Sequence, residues 1–461
     1  MKTLIRGGIC VTPQGVTEED LLLDGEKIVA LGDFSNSKDR YDRVIDAAGM
    51  LVLPGLIDAH THMELQQSPE FRSVDDFYTG TVAAAMGGTT TIIDHIGFGP
   101  AGCELGYSIE KYQEKAKKSV IDYSFHGVIQ HVDEKILEEL RGWVQKGIPS
   151  FKAYSTYGFK IDDRGMYQLL QTLRAEGGLL CVHAENDEMT NYLRERFLEE
   201  NRTDAIYHAL SRPNETEAES VDTMVNLASM AEDAPLYIVH TSTGEGMERI
   251  EFARESGQEN LYCETCPQYL LLDEAAYFEK GNEEGLKYIM APPLRSVEDR
   301  EALWRGVEEG IVDVIATDHC PFLLKDKHKG LEDFTKAPGG AAGVEERPRL
   351  IFSEGVMKGR ISLGRYVDLM SANPAKIFGL YPRKGALAVG SDADILLLDP
   401  MIKETLTVDG LHSSCDYCAY EGMEMTGGIH MVFSRGKLIV EDGVFMGSRG
   451  DGQFLPRSAK K

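Results

Sequence analysis

Leu51-Val52-Leu53-Pro54-Gly55-Leu56-Ile57-Asp58-Ala59-His60-Thr61-His62 is an apolar run that breaks off in two histidines one residue apart. Its composition predicts a buried strand over Leu51 to His60. Residues i and i+2 of an extended chain face the same way, so His60 and His62 could reach one metal ion. The pair alone is a weak signal. With 12 histidines in 461 residues the spacing arises by chance, and two surface or core histidines are the simpler explanation.

Seven more apolar runs follow: Thr89 to Asp94, Ser124 to Ile129, Ser150 to Tyr154, Leu179 to His183, Leu236 to His240, Asn260 to Cys266 and Val312 to Thr317. Amphipathic helical patterns separate most of them, among them Ile109 to Ser119, Asp133 to Lys146 and Arg164 to Glu176. Eight such units over residues 53–384 predict an α/β fold, a (β/α)8 TIM barrel, whose functional groups should lie at the C-terminal strand ends. His60 and His62 end the first run, Lys152 lies in the fourth, His183 and His240 end the fifth and sixth, and Asp318 follows the eighth. Imidazoles and a carboxylate converging on one barrel mouth suit divalent metal, zinc before Mn²⁺, Fe²⁺ or Co²⁺. Lys152 sits in the apolar run Ile148 to Tyr154, where an unpaired ammonium is costly. Reaction with CO₂ would make it a bidentate carbamate; the plainer alternative is a lysine that snorkels out or pairs with a carboxylate.

Residues 1–52 and 385–446 instead read as short strands broken by turns such as Gly25-Glu26, Arg435-Gly436 and Asp442-Gly443. Both chain ends are therefore predicted to build one small β-sandwich domain, followed by a polar, extended tail at 447–461. The formal net charge of −27 disfavours nucleic acid and anionic membranes as partners. No secretory leader or run of about 18 apolar residues is visible, so a cytoplasmic protein with reduced thiols is expected. The Cys263/Cys266 and Cys415/Cys418 pairs lie about 150 residues apart, too far for a zinc ribbon, whose pairs stand ~15–20 apart.

Over essentially its whole length the sequence resembles the amidohydrolase superfamily, and within it the D-hydantoinase/dihydropyrimidinase family. The motifs that carry the likeness are Pro54 to His62, Ser150-Phe151-Lys152, Val182 to Asn186, His208 to Pro213, Glu264 to Leu270, Ala316 to Cys320, Ser371 to Leu380 and Gly390 to Ile395. Thr90 to His95 and Tyr123 to His131 are most similar to the bacterial phenylhydantoinase branch. The resemblance implies two divalent metal ions. His60, His62 and Asp318 would hold the more buried one, His183 and His240 the more exposed one, and carboxylated Lys152 would bridge them. It further implies that water opens a cyclic amide, with Asp318 as proton carrier and Tyr157 bonding the substrate carbonyl. A hydantoin would give an N-carbamoyl amino acid.

Backbone groups at Ala291 and Gly339 would hold the ring amide. Both positions depart from the family pattern, which has Ser before Pro-Pro-Leu-Arg and Pro-Asn-Gly where Pro338-Gly339-Gly340 stands. Met63, Leu65, Phe71, Tyr154 and Phe159 are the candidates for an apolar rim around the ring substituent. They could equally cover the barrel end or an oligomer contact. The tail Gly450 to Arg457 resembles the family's ending, which packs on a neighbouring subunit and implies a homotetramer. Dihydropyrimidine ring opening is the nearest alternative chemistry. Dihydroorotase and allantoinase are disfavoured because no arginine stands out in the rim segments. A non-catalytic adaptor is disfavoured because all six ligand positions are intact.

Overall fold

The computed structural model describes residues 1–37 and 39–459. Eight parallel strands form its centre: β1 (Leu56–Thr61), β2 (Thr89–His95), β3 (Asp122–Val128), β4 (Ser150–Tyr154), β5 (Leu179–His183), β6 (Leu236–Ile238), β7 (Leu261–Thr265) and β8 (Val314–Ile315). They neighbour one another in sequence order. The ring closes where Thr61 bridges His319 in parallel and the His62 N–H donates to the His319 carbonyl at 2.9 Å. Every residue of β1, β2 and β3 is buried, as expected of parallel strands covered on both faces. The fold is the predicted TIM barrel.

The opening run is not one strand. It breaks at Gly55, and Leu51–Pro54 joins a different sheet, antiparallel to Ile395–Thr405. The break has a steric cause. A Cβ on Gly55 would lie 2.2 Å from Thr90 Oγ1 and 2.8 Å from Asp394 Cβ, so only glycine lets the chain pass between the two bodies.

Leu51–Pro54 belongs to a seven-stranded sheet drawn from both chain ends. A four-stranded sheet of Lys2–Arg6, Asp20–Asp24, Lys27–Gly32 and Arg43–Asp46 stands apart from it. The two share a core of Ile5, Leu21, Leu23 and Ile45 with Val52, Ile395, Leu397 and Phe433. Within 385–446, expected as short strands, the chain instead forms one long irregular strand, Ile395–Thr405.

Lys384 ties the sheets to the barrel: its buried Nζ lies 2.6 Å from both Asp122 of β3 and Asp394. The tail is seated on this chain's own barrel, where Phe454 bridges Tyr123 in parallel. Leu455 is fully buried, and buried Arg457 donates to Ser124 Oγ, Ser150 Oγ and the Phe125 carbonyl. No helix is long and apolar enough to cross a membrane among the described residues. All eight cysteines are unpaired thiols, only Cys103 being partly exposed.

Candidate metal centre and substrate cavity

The strand ends deliver the histidines to one point. His60 closes β1, and just beyond it His62 Nδ1 lies 3.1 Å from the His95 carbonyl, which leaves Nε2 facing inward. Asp318 Oδ1 stands 3.2 Å from His60 Nε2 and 3.0 Å from His62 Nε2. One donor atom from each of the three lies within 4.8 Å of the others. On the other side His183, at the end of β5, packs its ring 4.5 Å from that of His240. Lys152, on β4, is 1% exposed.

The unmet bonding in this cluster fits metal. His240 Nδ1 is buried without a hydrogen-bond partner, and His60 Nε2 makes no well-directed hydrogen bond although Asp318 Oδ1 stands 3.2 Å away. A native structure seldom leaves such atoms bare unless something binds there. Lys152 Nζ has no hydrogen-bond or ion-pair partner among the described residues, and burial pushes its pKa down to about 8. Burial opposes charge on His60, but the Glu264 and Asp318 carboxylates outweigh it and hold its pKa up at about 9. Burial also opposes charge on Asp318, yet His60 and His62 hold its pKa well below the usual carboxylate range. An ionised carboxylate among imidazole nitrogens and a neutralisable amine form a donor set for a divalent cation.

A second layer of residues orients the first. Glu264 Oε1 lies 2.6 Å from His60 Nδ1 and accepts the His240 backbone N–H at 2.9 Å. Glu185 Oε2 lies 2.6 Å from His183 Nε2 and is paired at 2.6 Å with Arg212. Burial works against the Glu185 charge, and Arg212 overrides it. Three candidate site residues sit in the left-handed backbone region: Tyr157 at φ 73°, His240 at φ 39° and Asp318 at φ 54°. Each costs on the order of 1–3 kcal/mol and persists only where its surroundings enforce it. Hydrogen bonds from the Tyr157 N–H to Asp187 and from the His240 N–H to Glu264 supply part of that enforcement.

The centre opens into a cavity of about 340 Å³. His62, Lys152, His183, His240 and Asp318 line it, as do Tyr157, Ala291, Gly339 and, of the rim candidates, Leu65, Tyr154 and Phe159. His60 lies beneath, fully buried. Two rim candidates are elsewhere. Met63 is in the core, packed where Gly80 has no side chain, and Phe71 lies edge-on to Phe322 under Lys329.

Ile96 and Phe98 are wall residues not singled out in the sequence; they follow β2 as His62 follows β1. The expectation of an arginine-free rim fails as well, since Arg194 and Arg212 both line the cavity. Arg212, Glu185 and Glu264 lie inside quoted motifs, but nothing local marks them as supports. His95, whose two ring nitrogens are buried without partners, packs 4.1 Å from the His60 ring.

Comparison with known proteins places this geometry. The family model described as the amidohydrolase family matches residues 51–439. A D-phenylhydantoinase of Escherichia coli is 47% identical over 461 residues, covering 99% of this chain and 98% of that protein. The crystal structure of a dihydropyrimidinase from Brevibacillus agri superposes with a TM-score of 0.97 at 43% identity, over 100% of both chains. A D-hydantoinase from a Bacillus species does so with a TM-score of 0.96 at 42% identity, again over 100% of both.

Proposed function

The chain belongs to the amidohydrolase family, in its D-hydantoinase and dihydropyrimidinase branch, and on that premise we propose that it hydrolyses the ring of 5-substituted hydantoins, phenylhydantoin-like, to N-carbamoyl amino acids. The observation that carries the reading is the meeting of His60, His62, Lys152, His183, His240 and Asp318 beneath one aromatic-walled cavity. In the proposed site His60, His62 and Asp318 would hold one divalent cation and His183 and His240 a second. Lys152, its neutral amine having added CO₂ and released a proton to become a carbamate, would offer carboxylate oxygens as further donors. The imidazole-rich set favours zinc. When bound, such a pair of cations supplies the Lewis acidity that activates water near neutral pH.

The protein's own groups do the rest. Backbone groups at Ala291 and Gly339 hold the ring amide against the wall. Burial pushes the Tyr157 phenol up, so it stays protonated and donates a hydrogen bond to the carbonyl under attack. The ionised Asp318 carboxylate takes the proton of the attacking water and gives it to the leaving ring nitrogen. Leu65, Ile96, Phe98, Tyr154 and Phe159 offer an apolar face to the ring substituent and exclude water.

A dihydropyrimidinase is the second reading, favoured by the likeness to the Brevibacillus enzyme. Assay of metal-loaded protein on phenylhydantoin and dihydrouracil side by side decides between them. Faster opening of phenylhydantoin is expected; preference for dihydrouracil moves the protein to the pyrimidine branch, and no turnover of either rejects both. The tail's resemblance supports a homotetramer, which light scattering tests, and the unpaired thiols support a cytoplasmic setting.

A further inference from the structure

We infer that Lys327 is a positioning residue whose ammonium ties two backbone segments of the cavity wall, 289–291 and 338–340, into one rigid support for the substrate ring. What the wall supports rests on the ring-opening reading; the tie itself does not. Lys327 ends the short helix Leu324–Lys327, and its side chain is 0% exposed. Nζ donates to the Ile289 carbonyl at 2.7 Å, the Pro338 carbonyl at 2.8 Å and the Gly340 carbonyl at 2.7 Å. Three N–H donors meet three acceptors, which is the full capacity of an ammonium. It has no ion-pair partner among the described residues, so these carbonyls are what offsets burying the charge.

The tie matters for 338–340 because Pro338-Gly339-Gly340 is nearly bare backbone, whereas 289–291 is anchored in the core by buried Ile289 and Met290. Ile289, Ala291, Gly339 and Gly340 line the cavity, while Lys327 does not. Gly339 has little packing of its own: a Cβ there would meet only Met290 and Ala291 backbone, at 3.9 and 4.0 Å. Gly340, at φ +143°, lies so close to the Cys320 carbonyl that no side chain fits. The Gly340 N–H also donates to the Ile289 carbonyl at 3.0 Å, so the two segments are already adjacent and Lys327 locks them. His208 Nε2, 2.7 Å from the Met290 carbonyl, braces the same segment from behind. Lys327 acts at a distance from the reacting atoms, and its removal should weaken ring placement rather than the chemistry.

The test uses full-length, metal-loaded protein with Lys327→Met, which keeps the bulk and removes all donors, and Lys327→Gln, whose amide retains two. In Lys327→Met, hydrogen exchange at the Gly340 amide and across 286–291 and 337–343 should accelerate about ten-fold, with the rest of the barrel unchanged. KM for the cyclic amide should rise about ten-fold while kcat stays within about two-fold and metal content is retained. Lys327→Gln should recover part of both effects. Unchanged exchange in the two segments overturns the inference. So does acceleration spread evenly through the barrel, or a fall in kcat at constant KM. If the native protein opens no cyclic amide, the ring-opening reading falls while the exchange data still decide the tie.

Discussion

Glu264 Oε1 lies 2.6 Å from His60 Nδ1, and both side chains are fully buried. The same carboxylate accepts the His240 backbone N–H at 2.9 Å and the Tyr237 hydroxyl at 2.8 Å. One acid thus fixes the tautomer of a proposed ligand of one cation and the backbone of a proposed ligand of the other. Partners of this kind typically change metal affinity 10–100-fold. Glu264→Gln should therefore lose metal to a chelator at a concentration about ten-fold lower or less, with the fold retained by circular dichroism. Equal retention in both proteins would remove Glu264 from the metal site.

Lys152 has no hydrogen-bond or ion-pair partner among the described residues, which predicts a chemical modification. Native mass spectrometry of protein grown with bicarbonate should show the mass of one added CO₂, lost on acidification. Lys152→Ala should lose that mass, retain less than the full complement of metal and fall at least about 100-fold in kcat/KM. An unmodified lysine in fully active protein would sink the carbamate.

Phe159 packs edge-on to Tyr154 and tilted against Phe98 and Tyr157, forming the aromatic side of the cavity. An aromatic contact adds about 0.5–1.5 kcal/mol beyond area burial. Phe159→Ala should lower kcat/KM for phenylhydantoin about three- to ten-fold and leave a small unsubstituted ring nearly unaffected. An equal loss on both would place Phe159 in general support of the loop rather than in substrate selection.

Glu346 is 2% exposed, and its Oε2 has no hydrogen-bond partner. Burial, aided by the Glu345 charge, pushes its pKa from 4.5 to about 7. The folded chain then keeps a proton that the unfolded chain has lost. Stability from this group is complete below pH 4.5 and falls as pH rises to about 7, by on the order of 3 kcal/mol at most. Glu346→Gln should flatten that slope and raise Tm at pH 8. A pH profile identical to the native one would show that the carboxyl is ionised or bonded in the fold.

The sequence by itself determined the barrel and singled out the candidate ligands. Parallel strands buried on both faces must be written as apolar runs, and a barrel admits chemistry only at its C-terminal mouth, so His60, His62, His183, His240 and Asp318 stood out at the run ends and Lys152 as a lone charge inside a run. Gly55 shows where linear reading stopped: an apolar run looks continuous, whereas the change of sheet is dictated by Thr90 and Asp394, distant in sequence.

The same holds for the site's support and shape. Glu264, Arg212 and Lys327 are ordinary polar residues in the text of the chain; their roles arise from hydrogen bonds spanning 204, 27 and up to 38 residues. Met63 was misplaced because alternation along a turn does not say which side is core. Local pattern encodes periodicity and burial. The pairing of buried charges and the strained φ of Tyr157, His240 and Asp318 are consequences of closing the barrel, and only the tertiary structure decided them.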